Sequence, residues 1–341
     1  MFYKPKECVH LILGIETSCD ETATSIVLDG QKILSHVISS QTNIHRQYGG
    51  VFPELACRKH TEMILPTIQE SLQRAYISQH DIDAIAVTTR PGFIGSLLVG
   101  INTAKALSYA LKIPLIDVNH LKAHIYAAMM NAPSPSFPAI GLVASGGHTC
   151  LFKINDFDQY FLLGCTKDDA AGEAFDKVAR LLHLPYPGGE EIEKIAKMGS
   201  VIKNMFKPCA IPKEPCSFSF SGLKTQVYYA LKAKSAPSTA NLAATFQNVV
   251  LNDLIDKTLL AAHMHGISTI YVGGGVSCNK QFKTLFMQKK GDCSVFFPPI
   301  ELSTDNGAMI AGLGYHLYQK NNRSASFDIK PEPNINCLAF Y

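Results

Sequence analysis

The apolar and polar positions divide the chain into short strand, turn and helix units. Leu11 to Glu16 is an apolar run, Thr17 to Thr22 is polar, and Ala23 to Leu28 is apolar again and rich in branched side chains. That pattern predicts a strand, a polar turn and a second strand. The same unit recurs at 139–154, where two apolar runs flank Ser145-Gly146-Gly147-His148-Thr149. A recurring hairpin at the head of each half predicts two similar halves facing a cleft. Between them, residues 82–89 read as a buried strand that ends at Arg90-Pro91-Gly92 and feeds a helix over 97–111. A strand over 114–118 then leads into a helix that starts at Asn119-His120.

The second half continues with a helical stretch over 166–180, a helix over 190–198 and an alternating stretch over 217–224 that reads as a strand or extended edge. A long helix carrying Phe246, Val250 and Leu254 follows, then a strand over 269–272 and a helix over 308–317. Gly273-Gly274-Gly275 sits at a strand-to-helix junction. Three consecutive glycines cost backbone entropy, which favours a ligand pressed against the backbone there.

Composition narrows the class without naming the chemistry. A chain of 341 residues, 47% hydrophobic and 17% charged, is long enough for two ordinary cores. A net charge of +3 does not diagnose a nucleic-acid binder and permits a local basic patch; Arg58, Lys59 and His60 form one candidate, or else an ordinary solvated helix face. The longest uninterrupted apolar runs are shorter than a membrane span, and the start reads as a strand rather than a signal peptide, so a cytoplasmic protein without a membrane helix is expected. Ten cysteines stand singly, Cys8 and Cys337 among them, with no CxxC pair. They read as reduced thiols, not as a zinc ribbon.

The candidate chemistry starts from His120 and His124. Residues i and i+4 share one helical face, so two imidazoles there can ligate one Zn²⁺ or Fe²⁺ if a third ligand arrives; two ordinary histidines are the other reading. Asp305 is the best-placed carboxylate to complete the set, and equally fits a helix N-cap. Thr17, Ser18, Asp20, Glu21 and Thr22 put hydroxyls and carboxylates at a strand end, where phosphate or metal can be held. Ser145 to Thr149 offers glycine amides to a phosphate. Asp168, Asp169 and Glu173 precede Asp176, which can grip a ribose hydroxyl or belong to a charged helix start.

Two hairpin-led halves with polar turns are similar to the actin-like, sugar-kinase and heat-shock-ATPase (ASKHA) architecture: an α/β fold of two duplicated domains around a nucleotide cleft. The expected domains are 1–134 with 306–341, and 135–305. The wording of Gly14 to Thr22, Tyr48 to Glu54, Asn119 to His124, Ser145 to Thr149, Asp168 to Lys177, Phe218 to Lys224 and Asp305 to Met309 closely resembles the bacterial TsaD family, in order from about residue 10 to about residue 318. The resemblance implies transfer of a threonylcarbamoyl group from threonylcarbamoyl-AMP to N6 of adenosine 37 in tRNAs that read codons beginning with adenine. It implies His120, His124 and Asp305 as ligands of one divalent metal, Fe²⁺ in preference to Zn²⁺. It implies Val143, Ala144, Ser145, Gly146, Gly147, Asp176, Gly189, Glu193 and Asn279 as substrate-binding residues. Asp20 and Glu21 are the candidates for proton handling. A degenerate TsaB-like paralogue and a small TsaE-like ATPase are the implied protein partners beside tRNA.

Two positions depart from the family pattern: Arg90 replaces a small residue, and Glu190 replaces a proline, which bears on the geometry near Glu193. A zinc protease reading fails because Leu121 stands where a zincin carries its general-base glutamate. A kinase or ATPase on this fold has no need of the histidine pair, and a non-catalytic scaffold would be expected to have lost it.

Overall fold

The computed structural model describes residues 10–321 and 324–334; Cys8 and Cys337 lie outside them. The elements in chain order begin β1 (Leu11–Glu16), β2 (Glu21–Leu28), β3 (Lys32–Ser40), α1 (Thr42–His45), α2 (Pro53–Ala75), β4 (Ala84–Arg90), α3 (Ile94–Leu111), β5 (Leu115–Asn119) and α4 (His120–Met129). They continue with β6 (Ala139–Ala144), β7 (Thr149–Ile154), β8 (Tyr160–Cys165), α5 (Ala171–Leu181), α6 (Gly188–Ala196), α7 (Ser221–Lys232), α8 (Thr239–His265), β9 (Thr269–Gly273), α9 (Lys280–Lys289), β10 (Ser294–Phe296) and α10 (Gly307–Asn321). Two compact units result, divided at Met130/Asn131 and at Ser303/Thr304, so Asp305 and α10 belong with the first.

The first unit carries a sheet of order β3-β2-β1-β4-β5, the second one of order β10-β9-β6-β7-β8. In each, the first three strands of the unit form an antiparallel meander and the last two join parallel to its first strand. With β6 read as β1, the two orders are the same. The parallel register aligns Ile12 with Ile140 and Ile15 with Val143, because they face Ala84 and Val87 in one sheet and Ile270 and Gly273 in the other. The recurring hairpin is therefore a repeated sheet.

Burial explains the pattern. In the first unit Leu13, Ile15, Ile26, Ile85 and Val87 pack under Ile64 and Ile68 of α2 and Leu97, Ile101 and Ala104 of α3. Each such side chain contributes on the order of 2 kcal/mol when fully buried. By length and composition α3 passes as a membrane span, yet this face of it is in that core. α10 lies so close to β1 that a Cβ on Gly14 would meet the Gly307 carbonyl at 2.1 Å. The second unit packs Ile140, Leu142 and Leu151 against Phe175 and Val178 of α5, Phe246 and Val250 of α8, and Phe282 and Phe286 of α9.

Three readings change. The alternation over 217–224 gives only a bridge between Phe218 and Thr166 before α7 begins at Ser221; the alternating phenylalanines are core residues, and Asp168 holds the helix start. His60 leaves the basic cluster, since it is fully buried and bonds Thr22 Oγ1 at 2.8 Å and the Cys19 carbonyl at 3.0 Å. The N-cap role falls to Asn306, whose Oδ1 accepts the Met309 N–H at 2.9 Å, not to Asp305.

Candidate active site

The site in the first unit is built where β5 ends. Asn119 keeps an extended backbone, and its Oδ1 accepts the N–H groups of Leu121 and Lys122 at 2.9 and 3.2 Å. A side chain that satisfies two orphan donors starts α4 at His120. His120 and His124 then share a face with ring centroids 4.4 Å apart. Asp305, just before α10, brings Oδ1 to 3.1 Å from His124 Nε2 and 3.6 Å from His120 Nε2, and the three ligand atoms lie within 4.8 Å of one another. Leu121, by contrast, is fully buried.

Glu16 orients this set. It ends β1 fully buried; Oε1 accepts the Ser18 N–H at 2.5 Å, and Oε2 accepts the Thr88 hydroxyl at 2.6 Å and faces His120 Nδ1 at 2.9 Å. A carboxylate on Nδ1 fixes the imidazole tautomer that turns the Nε2 lone pair outward. Burial works against the charged forms of both partners. The Asp305 and Glu16 charges outweigh it at His120, pushed up to about 9, while the His120 charge holds Glu16 below the usual carboxylate range. His124 goes the other way: burial and the neighbouring His120 lower it.

The donor set fits a divalent metal. Both ring nitrogens of His124 are buried without a hydrogen bond, and its Nε2 faces Asp305 at a geometry that makes none. Unbonded buried imidazole nitrogens are costly unless something coordinates them. Two imidazoles and one carboxylate leave further positions open for a ligand.

The β1–β2 turn contributes unevenly. Thr17 donates to the Ser96 carbonyl at 2.9 Å, and Thr22 is bonded to His60; both are buried and face inward. Ser18 Oγ lies 3.2 Å from His120 Nδ1. Burial together with the neighbouring Asp20 and Asp305 charges raises Glu21 well above the usual carboxylate range, and the Ser40 hydroxyl donates to its Oε1 at 3.2 Å.

In the second unit Val143 and Ala144 are fully buried strand residues, so the polar edge is Ser145 with the exposed Gly146 and Gly147. The Ser145 amide donates to the His148 carbonyl at 2.8 Å, closing the turn, and the Gly172 amide donates to the Ser145 carbonyl at 3.0 Å, bringing the start of α5 against it. A Cβ on Gly146, Gly147 or Gly189 would meet nothing within 4 Å. Gly274 differs: at φ 90° its Cβ would strike the Ala144 carbonyl at 2.5 Å, so close backbone packing already requires glycine there. Asp176 accepts the Gly188 N–H at 2.7 Å, joining α5 to α6, and Glu193 accepts the Lys280 N–H at 3.2 Å, joining α6 to α9. Asn279 accepts the Phe282 N–H and donates to Gln247 at 2.8 Å. Asp168 accepts from Ser219, Ser221 and the Phe220 amide, and Asp169 pairs with Lys177.

The two departures are accommodated. Arg90 pairs with Asp117 at 3.0 Å, and Glu190 is exposed in the first turn of α6 while Glu193 keeps its contact. Sequence reasoning gave no role to Glu16, Thr88 or Gln247. The available signal for Glu16 was a lone carboxylate closing an otherwise apolar strand.

Fold neighbours define the class first. The chain is similar to full-length HypF, with a TM-score of 0.63 at 15% identity over 95% of this chain and 58% of that one. It is also similar to component A of the Acidaminococcus fermentans (R)-2-hydroxyglutaryl-CoA dehydratase, at 0.55 and 14% over 92% of this chain and 100% of that one. With the repeated sheets, this is the actin-like, sugar-kinase and heat-shock-ATPase class of α/β proteins. The TsaD family model, described as tRNA N6-adenosine threonylcarbamoyltransferase, matches residues 32–312. Proteins of that name from Protochlamydia amoebophila and Dictyoglomus turgidum are 49% and 48% identical, covering 94% and 92% of this chain and 96% and 95% of their own lengths. The chain belongs to this family of transferases, which form t6A in tRNA.

Proposed function

We propose that the chain transfers the threonylcarbamoyl group of threonylcarbamoyl-AMP to N6 of adenosine 37 in tRNAs that read codons beginning with adenine, using one divalent metal held by His120, His124 and Asp305. The observation that carries the metal is the pair of unbonded, buried His124 nitrogens beside Asp305 and the Glu16-oriented His120. Two imidazoles and a carboxylate are the facial set of non-haem iron sites and also serve zinc; in this reading the metal is iron in preference to zinc, as the family resemblance implies. When bound, the metal supplies Lewis-acid charge toward oxygens of the donor.

The protein's own residues supply binding, orientation and proton handling. In the transfer, the adenosine amine forms a bond to the carbamoyl carbon, the bond from that carbon to the phosphate oxygen breaks, AMP leaves and the amine gives up a proton. On the turn that the Ser145 amide closes, the exposed Gly146 and Gly147 offer their amides to the adenylate phosphate, beside the start of α5. Asp176, Gly189, Glu193 and Asn279 build the rest of that surface in this reading, and the buried strand end Val143-Ala144 supports it from below. Glu21, whose proton is retained by burial and two neighbouring carboxylates, exchanges protons with Asp20 in this reading. The reaction belongs in the cytoplasm, in keeping with eight free cysteines among the described residues, and proceeds with a TsaB-like paralogue and a TsaE-like ATPase.

The test combines purified protein, those partners, threonylcarbamoyl-AMP and an adenine-first-codon tRNA, with nucleoside mass spectrometry as readout. Modified adenosine from the wild type that is lost in His120→Ala/His124→Ala, together with the bound metal, is the expected result. Undiminished product from the variant would remove the metal site from the reaction.

A further inference from the structure

Tyr48 and Phe52 present two large aromatic side chains to solvent, 54% and 50% exposed, stacked with ring centroids 5.9 Å apart and planes at 28°. Their loop is tightly held. Gly49 takes a left-handed backbone at φ 67° and donates to the Arg46 carbonyl. Buried His45 accepts the Phe52 N–H on Nδ1 at 3.3 Å and faces Gln41 Oε1 through Nε2 at 3.2 Å. Gln41 donates from Nε2 to the Ala56 carbonyl and from its amide to the Asp20 carbonyl at 3.1 Å. The aromatic pair is thus braced to the same turn that sets Ser18 beside His120. Arg46 precedes it by two residues, and Arg58 lies in the second turn of the helix that Phe52 leads into; both are exposed.

We propose that Tyr48 and Phe52 form a stacking platform for an unpaired nucleobase of the tRNA substrate, flanked by Arg46 and Arg58 as phosphate contacts. Sequence-specific RNA recognition works largely on splayed loop bases, which stack on aromatic faces whatever their identity, with cations along the backbone. A family that modifies an adenosine of tRNA has to hold such a loop, and here the exposed aromatics and the turn beside His120 are joined by hydrogen bonds, with the two exposed arginines flanking the pair in the sequence. The proposal rests on the tRNA reading of the family. A hydrophobic contact to a protein partner is the competing use of such a pair.

The test uses the full chain with its protein partners and measures affinity for an adenine-first-codon tRNA and its isolated anticodon stem-loop, beside KM and kcat for transfer. Tyr48→Ala/Phe52→Ala is expected to weaken both RNA affinities about tenfold and to raise the KM for tRNA alike. The KM for threonylcarbamoyl-AMP, the kcat at saturating tRNA and the melting temperature should be unchanged. Tyr48→Phe/Phe52→Tyr keeps both rings and should bind as the wild type does. Unaltered RNA affinity in the alanine variant would overturn the platform, as would lost co-elution with a protein partner accompanied by normal RNA affinity. The binding readout does not depend on turnover. A wild type that binds through these rings yet forms no product would refute the transfer reading alone.

Discussion

The two sheets offer a controlled comparison, because the same register position carries opposite chemistry. Glu16 ends β1 where Ala144 ends β6, and Thr88 follows the register in β4 where Gly274 follows it just past the end of β9. In the first unit a buried carboxylate accepts from Thr88 and faces His120, so the strand end becomes a polar network that aims a ligand set. In the second, Gly274 moves its backbone onto the Ala144 carbonyl, and the adjacent turn presents open glycines. One scaffold thus yields a candidate site made of side chains and a candidate surface made of backbone. The difference lies in what the strand end buries: a charge demands partners, and a methyl group permits close approach.

The largest way to break that contrast is Glu16→Ala, which gives the first unit the second unit's residue. The Ser18 amide, the Thr88 hydroxyl and His120 Nδ1–H lose a buried acceptor together, and stability should fall by about 4 kcal/mol or more in denaturant titration. Glu16→Gln retains the volume and should instead lower metal affinity about 10- to 100-fold, as lost support of a histidine ligand does; wild-type metal affinity in both variants would remove Glu16 from the site. In the second unit the same test is Gly274→Ala, which meets a left-handed backbone and the Ala144 carbonyl at 2.5 Å. It should cost about 3 kcal/mol, whereas Gly146→Ala, in open space, should leave stability unchanged and weaken binding of threonylcarbamoyl-AMP. Equal stability of the two alanine variants would refute the close-packing account of Gly274.

The remaining test is a pH dependence confined to the first unit. In the metal-free protein His120 is raised to about 9, so its contribution to stability is fully present below the ordinary histidine value near 6.5 and is lost as pH rises through about 9. Metal binding requires the Nε2 proton to leave. Affinity should therefore climb about tenfold per pH unit below about 9 and level off above it, as read by chelator competition. A flat profile from pH 6 to pH 8 would show that His120 binds no metal or carries no such proton.

The recurring hairpin was legible because a buried strand must be apolar and a turn must not, and that constraint is local. The i, i+4 histidines were legible for the same reason: helical periodicity alone places them on one face. The third member of the set was legible only as one of two readings. Asp305 stands 181 positions after His124, and its sequence fits a helix cap as well as a ligand, until Asn306 is seen to cap α10. His60 looked like part of a basic surface since Arg58 and Lys59 adjoin it, and only the packing of α2 on β2 turns it inward to Thr22.

The sequence by itself determined the two repeated strand-turn-strand units, the histidine pair and, through its wording, the family. Tertiary structure alone decided that Glu16 orients His120, that Asp305 reaches both histidines, and that one of three glycines serves backbone packing rather than a ligand. The division is physical. Periodicity and turn chemistry act over a few residues and leave a mark in the order of amino acids, whereas a buried carboxylate acquires its role from the partners that distant strands and helices bring within hydrogen-bonding distance.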